Sequence, residues 1–258
     1  MHKLFTGNIF SHCEKRYFFY TKKYLKLISG IFMSHHYEVE IKTLLGSKQN
    51  ADDFLEALES AVEKLEKTGE NSQLNHYFQS GDTQKLLRKL EWDIPNEKLE
   101  SLRHICTLTG KHSFRTRFVD GNSILVVKLS VDTTSSSNGI QRMEWEHIFE
   151  GMSIEKLDEI LLQSGFEYQA KWSRERVEYR FDNINVCLDK NAGYGYLAEF
   201  EMVIANPAET QMAEENIRGI MARVGVQELD QARLERMFAY YNEHWRDYYG
   251  TEKTFSIE

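Results

Sequence analysis

Ionisable residues recur at every second position in six separate stretches of this 258-residue chain. Glu38, Glu40 and Lys42 alternate with Val39 and Ile41. Arg115 and Arg117 alternate with Phe114, Thr116 and Phe118, and Lys128 sits between Val127 and Leu129. Glu144 and Glu146 flank Trp145, Arg174 and Arg176 flank Glu175, and Glu199 and Glu201 flank Phe200. Asp189 follows Leu188. On a β-strand, residues two apart share a face, so each stretch would carry its charges on one side. One such strand is ordinarily just solvated on its charged side. Six of them, with apolar residues on the other side, need a shared environment for the charges. Arg and Lys pair with phosphate oxygens, Arg in bidentate fashion. Carboxylates hold Mg²⁺ or Mn²⁺, which also bind phosphate oxygens. A polar lumen holding both sets would therefore suit a complex of metal and phosphate. Close-packed, neither set would be stable without the other.

The elements that must position these residues follow from pattern. Residues 37–45 alternate as a strand, and 52–67 have helical apolar spacing with an acidic start. Strands are expected at 73–79, 113–119, 123–130, 140–149, 168–181, 184–189 and 195–204. Asp120-Gly121-Asn122 is a hairpin signal. A short helix lies within 84–104, which contains Pro95. Another spans 153–164, with Ser153 as its cap and Gly165 as its stop. Two helices close the chain at about 209–223 and 228–246. The aromatic residues of 236–250, with His244, are expected to pack on the sheet, with a lid over the substrate as the alternative. His147 and His244 are read as structural or exposed, with acid/base groups as the alternative. Strands joined as hairpins, with helices outside, make an α+β protein with an antiparallel sheet. Closed into a barrel, such a sheet would turn the charged faces inward.

Composition bounds the function. Lys and Arg number 32 against 40 Asp and Glu, a formal net charge of −8. That argues against a dedicated nucleic-acid binder. No apolar run is long enough for a membrane span. Three scattered cysteines, Cys13, Cys106 and Cys187, make neither a disulfide framework nor a zinc site, so a reducing, cytoplasmic setting is expected. Residues 1–32 differ from the rest. They hold six Lys and Arg against Glu14 alone, a net of +5, which leaves −13 for the remainder. They are read as a poorly ordered basic and aromatic extension ahead of Met33, an alternative start. A targeting arm or a membrane-surface helix is the other reading. Residues 33–258 are expected to form the functional domain.

The ordered motifs resemble those of the CYTH, or triphosphate tunnel metalloenzyme, superfamily. It includes class IV adenylyl cyclases, thiamine triphosphatases and inorganic triphosphatases. Its E-x-E-x-K signature is Glu38-Val39-Glu40-Ile41-Lys42. Tyr77-Phe78-Gln79 resembles a tyrosine-phenylalanine-aspartate turn, with Gln79 departing from the usual Asp. The R-x-R strand and the following strand with a single Lys correspond to Arg115, Arg117 and Lys128. Glu144 and Glu146, the basic set Lys171, Arg174 and Arg176, then Asp189, Gly193 and Gly195, and Glu199 and Glu201 complete the order. The match runs over roughly 37–204. The resemblance implies an eight-stranded antiparallel closed barrel, a tunnel, with helices outside. It implies Mg²⁺ or Mn²⁺ held by Glu38, Glu40, Glu199 and Glu201, with Asp189 and Glu146 beside them. It assigns Lys42, Arg115, Arg117, Lys128, Lys171, Arg174 and Arg176 to the triphosphate, with Lys42, Arg174 and Arg176 as catalytic. Spacing leaves open which of Arg174 and Arg176 takes the family position. The implied activity is metal-dependent hydrolysis of an inorganic, thiamine or nucleoside triphosphate. An adenylyl cyclase making cyclic AMP and pyrophosphate, and a non-catalytic polyphosphate binder, are the alternatives. The expected partner is a small-molecule triphosphate, and a homodimer is compatible with all three.

Overall fold

Period-two alternation governs most of the backbone. In a computed structural model, residues 37–130 and 142–258 are described; residues 1–36, which include the basic N-terminal extension, and residues 131–141 lie outside them. Among the described residues, eight strands form one antiparallel sheet: β1 (Tyr37–Gly46), β2 (Glu66–Ser80), β3 (Lys111–Val119), β4 (Asn122–Ser130), β5 (Arg142–Phe149), β6 (Phe166–Phe181), β7 (Ile184–Asn191) and β8 (Gly195–Ile204). Their order is β1-β8-β7-β6-β2-β3-β4-β5. The eight-stranded antiparallel sheet is as expected, but the described strands do not form the hydrogen-bonded closure of the expected barrel. Among the described residues the ladder has two edges, β1 and β5, which approach each other without hydrogen-bonded pairing.

Among the described residues, six α-helices accompany the sheet: α1 (Lys48–Ala61), α2 (Thr83–Leu90), α3 (Asn96–Thr107), α4 (Ile154–Gln163), α5 (Thr210–Arg223) and α6 (Gln231–Tyr248). Local chemistry sets several ends. Ser47, Asp82 and Ser153 each accept a hydrogen bond from the backbone N–H three residues on, satisfying a donor the helix leaves free. Pro95 divides the 84–104 region into two helices instead of one, since its ring cannot continue α2. The β3–β4 hairpin turns on Asp120 and Gly121, both at positive φ, as the sequence predicts. The predicted helix to residue 67 ends instead at Ala61, and β2 begins at Glu66, well before the predicted 73. Glu66 to Ser80 pairs along nearly the whole of β6, and that long ladder overrides the local helical pattern.

Two apolar layers cover the outer face. Helices α1 and α5 bury Phe54, Leu58, Ile217 and Ile220 against Val39, Ile41, Val186, Phe200 and Met202. Helices α2, α3 and α4 bury Leu87, Leu102 and Leu157 against Phe114, Leu125, Val127 and Trp145. Each fully buried aliphatic side chain contributes about 1.5–3 kcal/mol.

Helix α6 departs from the expectation of helices packed only outside. Its Leu234, Met237, Tyr241 and Trp245 pack with Leu44, Ala170, Trp172 and Leu197. Those four strand residues share a face with Lys42, Arg174 and Glu199, so α6 covers one end of the concave, charged face. Gly193, at φ +88°, permits this approach, because a Cβ there would lie 2.7 Å from the Tyr241 ring.

Candidate active site

The concave face gathers charges from seven strands, and β2 adds the uncharged polar residues Gln73, Asn75 and Tyr77. On β1 and β8, Lys42 touches Glu40 and lies 3.4 Å from Glu199. On β6 and β7, Arg176 grips Asp189 through Nε and Nη2, both at 2.6 Å, and reaches Glu199 at 2.5 Å. Arg174 donates to Asp189 at 2.9 Å and to Gln73 Oε1 at 2.8 and 2.9 Å. Arg117 donates to Asn75 at 3.1 Å and to Glu146 at 3.3 Å. Lys128 pairs with Glu144 at 2.7 Å. Arg115 donates from Nη1 to the Tyr77 hydroxyl at 2.9 Å. Its Nε and Nη2 have no partner, although the residue is only 7 % exposed.

Register explains the convergence. Glu40 stands opposite Glu201 and Lys42 opposite Glu199 on the β1–β8 ladder. Arg176 stands opposite Asp189, Arg117 opposite Asn75, and Arg115 opposite Tyr77. Glu38 shares this face at the end away from α6, opposite Val203.

The electrostatics are those of buried charges sorted into pairs. Burial pushes the Glu199 carboxyl up, but Lys42, Arg176 and Arg174 outweigh it and hold the group well below the usual range. The Asp189 and Glu199 carboxylates raise Arg176 well above its ordinary value against the effect of burial. Burial and neighbouring Arg115 bring Arg117 down to about 10. Burial also works against ionisation of Tyr77, yet Arg115 and Arg174 lower its phenol to about 8. Burial and then Glu144 raise Glu146, whereas Lys128 lowers Glu144 despite burial. Two like charges at neighbouring same-face positions divide in this way.

Lys171 does not join this set. It is three residues before Arg174, so it falls on the outer face. Its ammonium lies 4.2 Å over the Tyr168 ring and 3.8 Å from Asp158. Gln79, past a register shift between Tyr77 and Phe78, is exposed. His147 lies on the outer face beside Trp145 and Phe149, and His244 bonds the Tyr240 carbonyl. Sequence reasoning missed Gln73 and Asn75 and assigned no role to Tyr77. Their signal was present as the same alternation on β2, carried by uncharged residues. It also left Glu144 out of the assigned set.

No protein-family model matches the sequence, and no curated protein matches it. Solved structures do. The PH1819 protein from Pyrococcus horikoshii OT3 is 20 % identical, covers 78 % of this chain and 99 % of its own, and superposes with a TM-score of 0.52. A "putative adenylate cyclase" from Vibrio parahaemolyticus is 14 % identical over 79 % of this chain and 98 % of its own, at 0.52. A conserved hypothetical protein from Pyrococcus furiosus is 19 % identical over 74 % and 91 %, at 0.51. This chain therefore shares its fold with these proteins, and its ordered motifs resemble those of the CYTH, or triphosphate tunnel metalloenzyme, superfamily.

Proposed function

We propose that the chain is a divalent-metal-dependent hydrolase of a triphosphate bound along the concave face. The observation that carries this reading is Arg115, buried with two unpartnered guanidinium nitrogens, next to Arg117 and bonded to Tyr77, which Arg174 and Lys128 also approach. A buried guanidinium short of acceptors is costly, and an oxygen-rich anion supplies those acceptors.

The donor set fits a hard divalent cation. Glu40 and Glu201 oppose each other, with Glu38 one same-face position away, and all offer carboxylate oxygens. Among the described residues no group of three or more ligands is already assembled. The reason is visible in the pairing: Lys42 sits against Glu40, and Arg176 holds both Glu199 and Asp189. Glu38, Glu40 and Glu201 would hold the ion, which would neutralise phosphate charge and orient the substrate. Asp189 and Glu199 then act as the fixed counter-charges that aim Arg174 and Arg176.

The chain's own groups supply the rest. Arg115, Arg117, Lys128 and Arg174 bind non-bridging oxygens and stabilise charge that builds up as the anhydride bond breaks. Lys42, between Glu40 and Glu199, reaches the same space from β1. Tyr77 keeps its proton at neutral pH and lends a hydroxyl beside Arg115.

Phosphate release from inorganic, thiamine and nucleoside triphosphates with Mg²⁺ or Mn²⁺ tests the proposal. Free phosphate without cyclic AMP is expected. Cyclic AMP plus pyrophosphate would replace hydrolysis with cyclisation, and tight binding without turnover would make the protein a binder. Glu201→Gln is expected to abolish metal-stimulated release with the thermal midpoint kept. Undiminished release across a Mg²⁺ titration would remove Glu201 from the metal site.

A further inference from the structure

The end of the concave face under α6 is walled by aromatic rings. Trp172, two residues before Arg174 on the same face, lies flat on Tyr241, with centroids 3.7 Å apart. It meets Tyr194 edge-on at 4.9 Å and Tyr77 at 6.4 Å. Tyr241 donates its hydroxyl to the Lys171 carbonyl at 2.8 Å. Tyr194 is 5 % exposed, and its hydroxyl has no partner. Burial raises its phenol well above the ordinary value, with Tyr241 and Tyr77 as its electrostatic neighbours. Tyr77 is the residue bonded to Arg115. Ala170, opposite Tyr77 on the β2–β6 ladder, belongs to the apolar cluster under α6. The Tyr77–Arg115 pair therefore lies at the level of the covered end. Two buried side chains at this end, Tyr194 and Arg115, hold donors with nothing to bond.

We infer that the covered end grips the free terminal phosphoryl group of the substrate, with Tyr194 Oη and Arg115 Nε and Nη2 donating to its oxygens. The inference rests on the triphosphate reading and gives it a direction. The terminal phosphoryl points at the Trp172–Tyr194–Tyr241 wall, and any organic group points toward the acidic end marked by Glu38. Rings packed against α6 leave that wall apolar apart from these donors, which match phosphoryl oxygens and match no sugar or base in particular. The substrate class is a polyphosphate with at least one unsubstituted end. A chain esterified at both ends, such as a dinucleoside triphosphate, fits poorly. Tyr194 is a binding residue here, and its hydroxyl is a cost in the ligand-free protein.

Calorimetric titration of the full chain with inorganic tripolyphosphate tests this, comparing wild type with Tyr194→Phe. The expected result is an affinity about tenfold weaker or more, as for a lost bond to a charged group. The thermal midpoint of the ligand-free variant is expected to be unchanged or higher, because an unpartnered hydroxyl has been removed. A dinucleoside triphosphate is expected to compete at least tenfold less well than tripolyphosphate. Equal affinity of Tyr194→Phe and wild type, or equal competition by the doubly esterified chain, would overturn the inference while leaving the triphosphate reading intact. A wild-type chain that binds no tripolyphosphate would overturn both.

Discussion

Tyr77 is drawn toward neutral pH by the arginines around it. Burial alone would keep its phenol protonated well into the alkaline range, but Arg115 and Arg174 bring it to about 8. Below that value it is a neutral hydroxyl, and above it a phenolate that neutralises Arg115 and repels phosphate. Tripolyphosphate affinity is thus expected to fall as pH rises through about 8. Tyr77→Phe should remove that fall, which a titration of affinity from pH 6.5 to 9.5 would reveal. An unaltered alkaline limb in the variant would acquit Tyr77. Lys171 carries the opposite lesson. Its type matched the family motif, yet an odd spacing from Arg174 sends it to the outer face. Charge type alone does not place a strand residue; parity does.

At the scale of elements, the concave face depends on what stands behind it. Asp158 of α4 is 2 % exposed and accepts hydrogen bonds from Thr116 and Tyr168, each at 2.6 Å. His76 Nδ1 meets it at 2.7 Å, and His76 Nε2 meets the Tyr249 hydroxyl at 2.8 Å. One carboxylate so ties α4 to β2, β3 and β6, and through His76 to the end of α6. His76 sits between Asn75 and Tyr77, which face the site. Asp158→Ala leaves these donors buried and unpaired, an expected loss of about 3–5 kcal/mol in chemical denaturation. A loss below 1 kcal/mol would show that the network is not holding these elements together. The long β2–β6 pairing is the other structural support. It extends β2 back to Glu66 and carries Asn71, Gln73 and Asn75 onto the same face as Arg174 and Arg176. The pattern around Leu65 reads as helix because helical spacing is a local property, whereas a fifteen-residue ladder with a distant strand is not.

For the whole molecule, all the charged positions of the concave face lie after residue 37. His36–Glu258 forms one compact unit, and among the described residues no helix is long and apolar enough to cross a membrane. A chain begun at Met33 is expected to bind tripolyphosphate within twofold of the full chain in the same buffer. A tenfold loss would assign residues 1–32 a part in the site. The sequence by itself determined the strand faces, because period two converts a residue list into two sides without knowledge of the fold. It also determined the motif order and both ends of α4, which rest on the Ser153 cap and on Gly165. Only the tertiary structure decided which charges meet. Whether Glu199 faces a cation or a metal ligand depends on cross-strand register between segments more than a hundred residues apart. The ladder edges at β1 and β5, and α6 over one end of the face, were decided the same way. Both follow from long-range packing, which acts on the folded chain as a whole and leaves no period in the sequence.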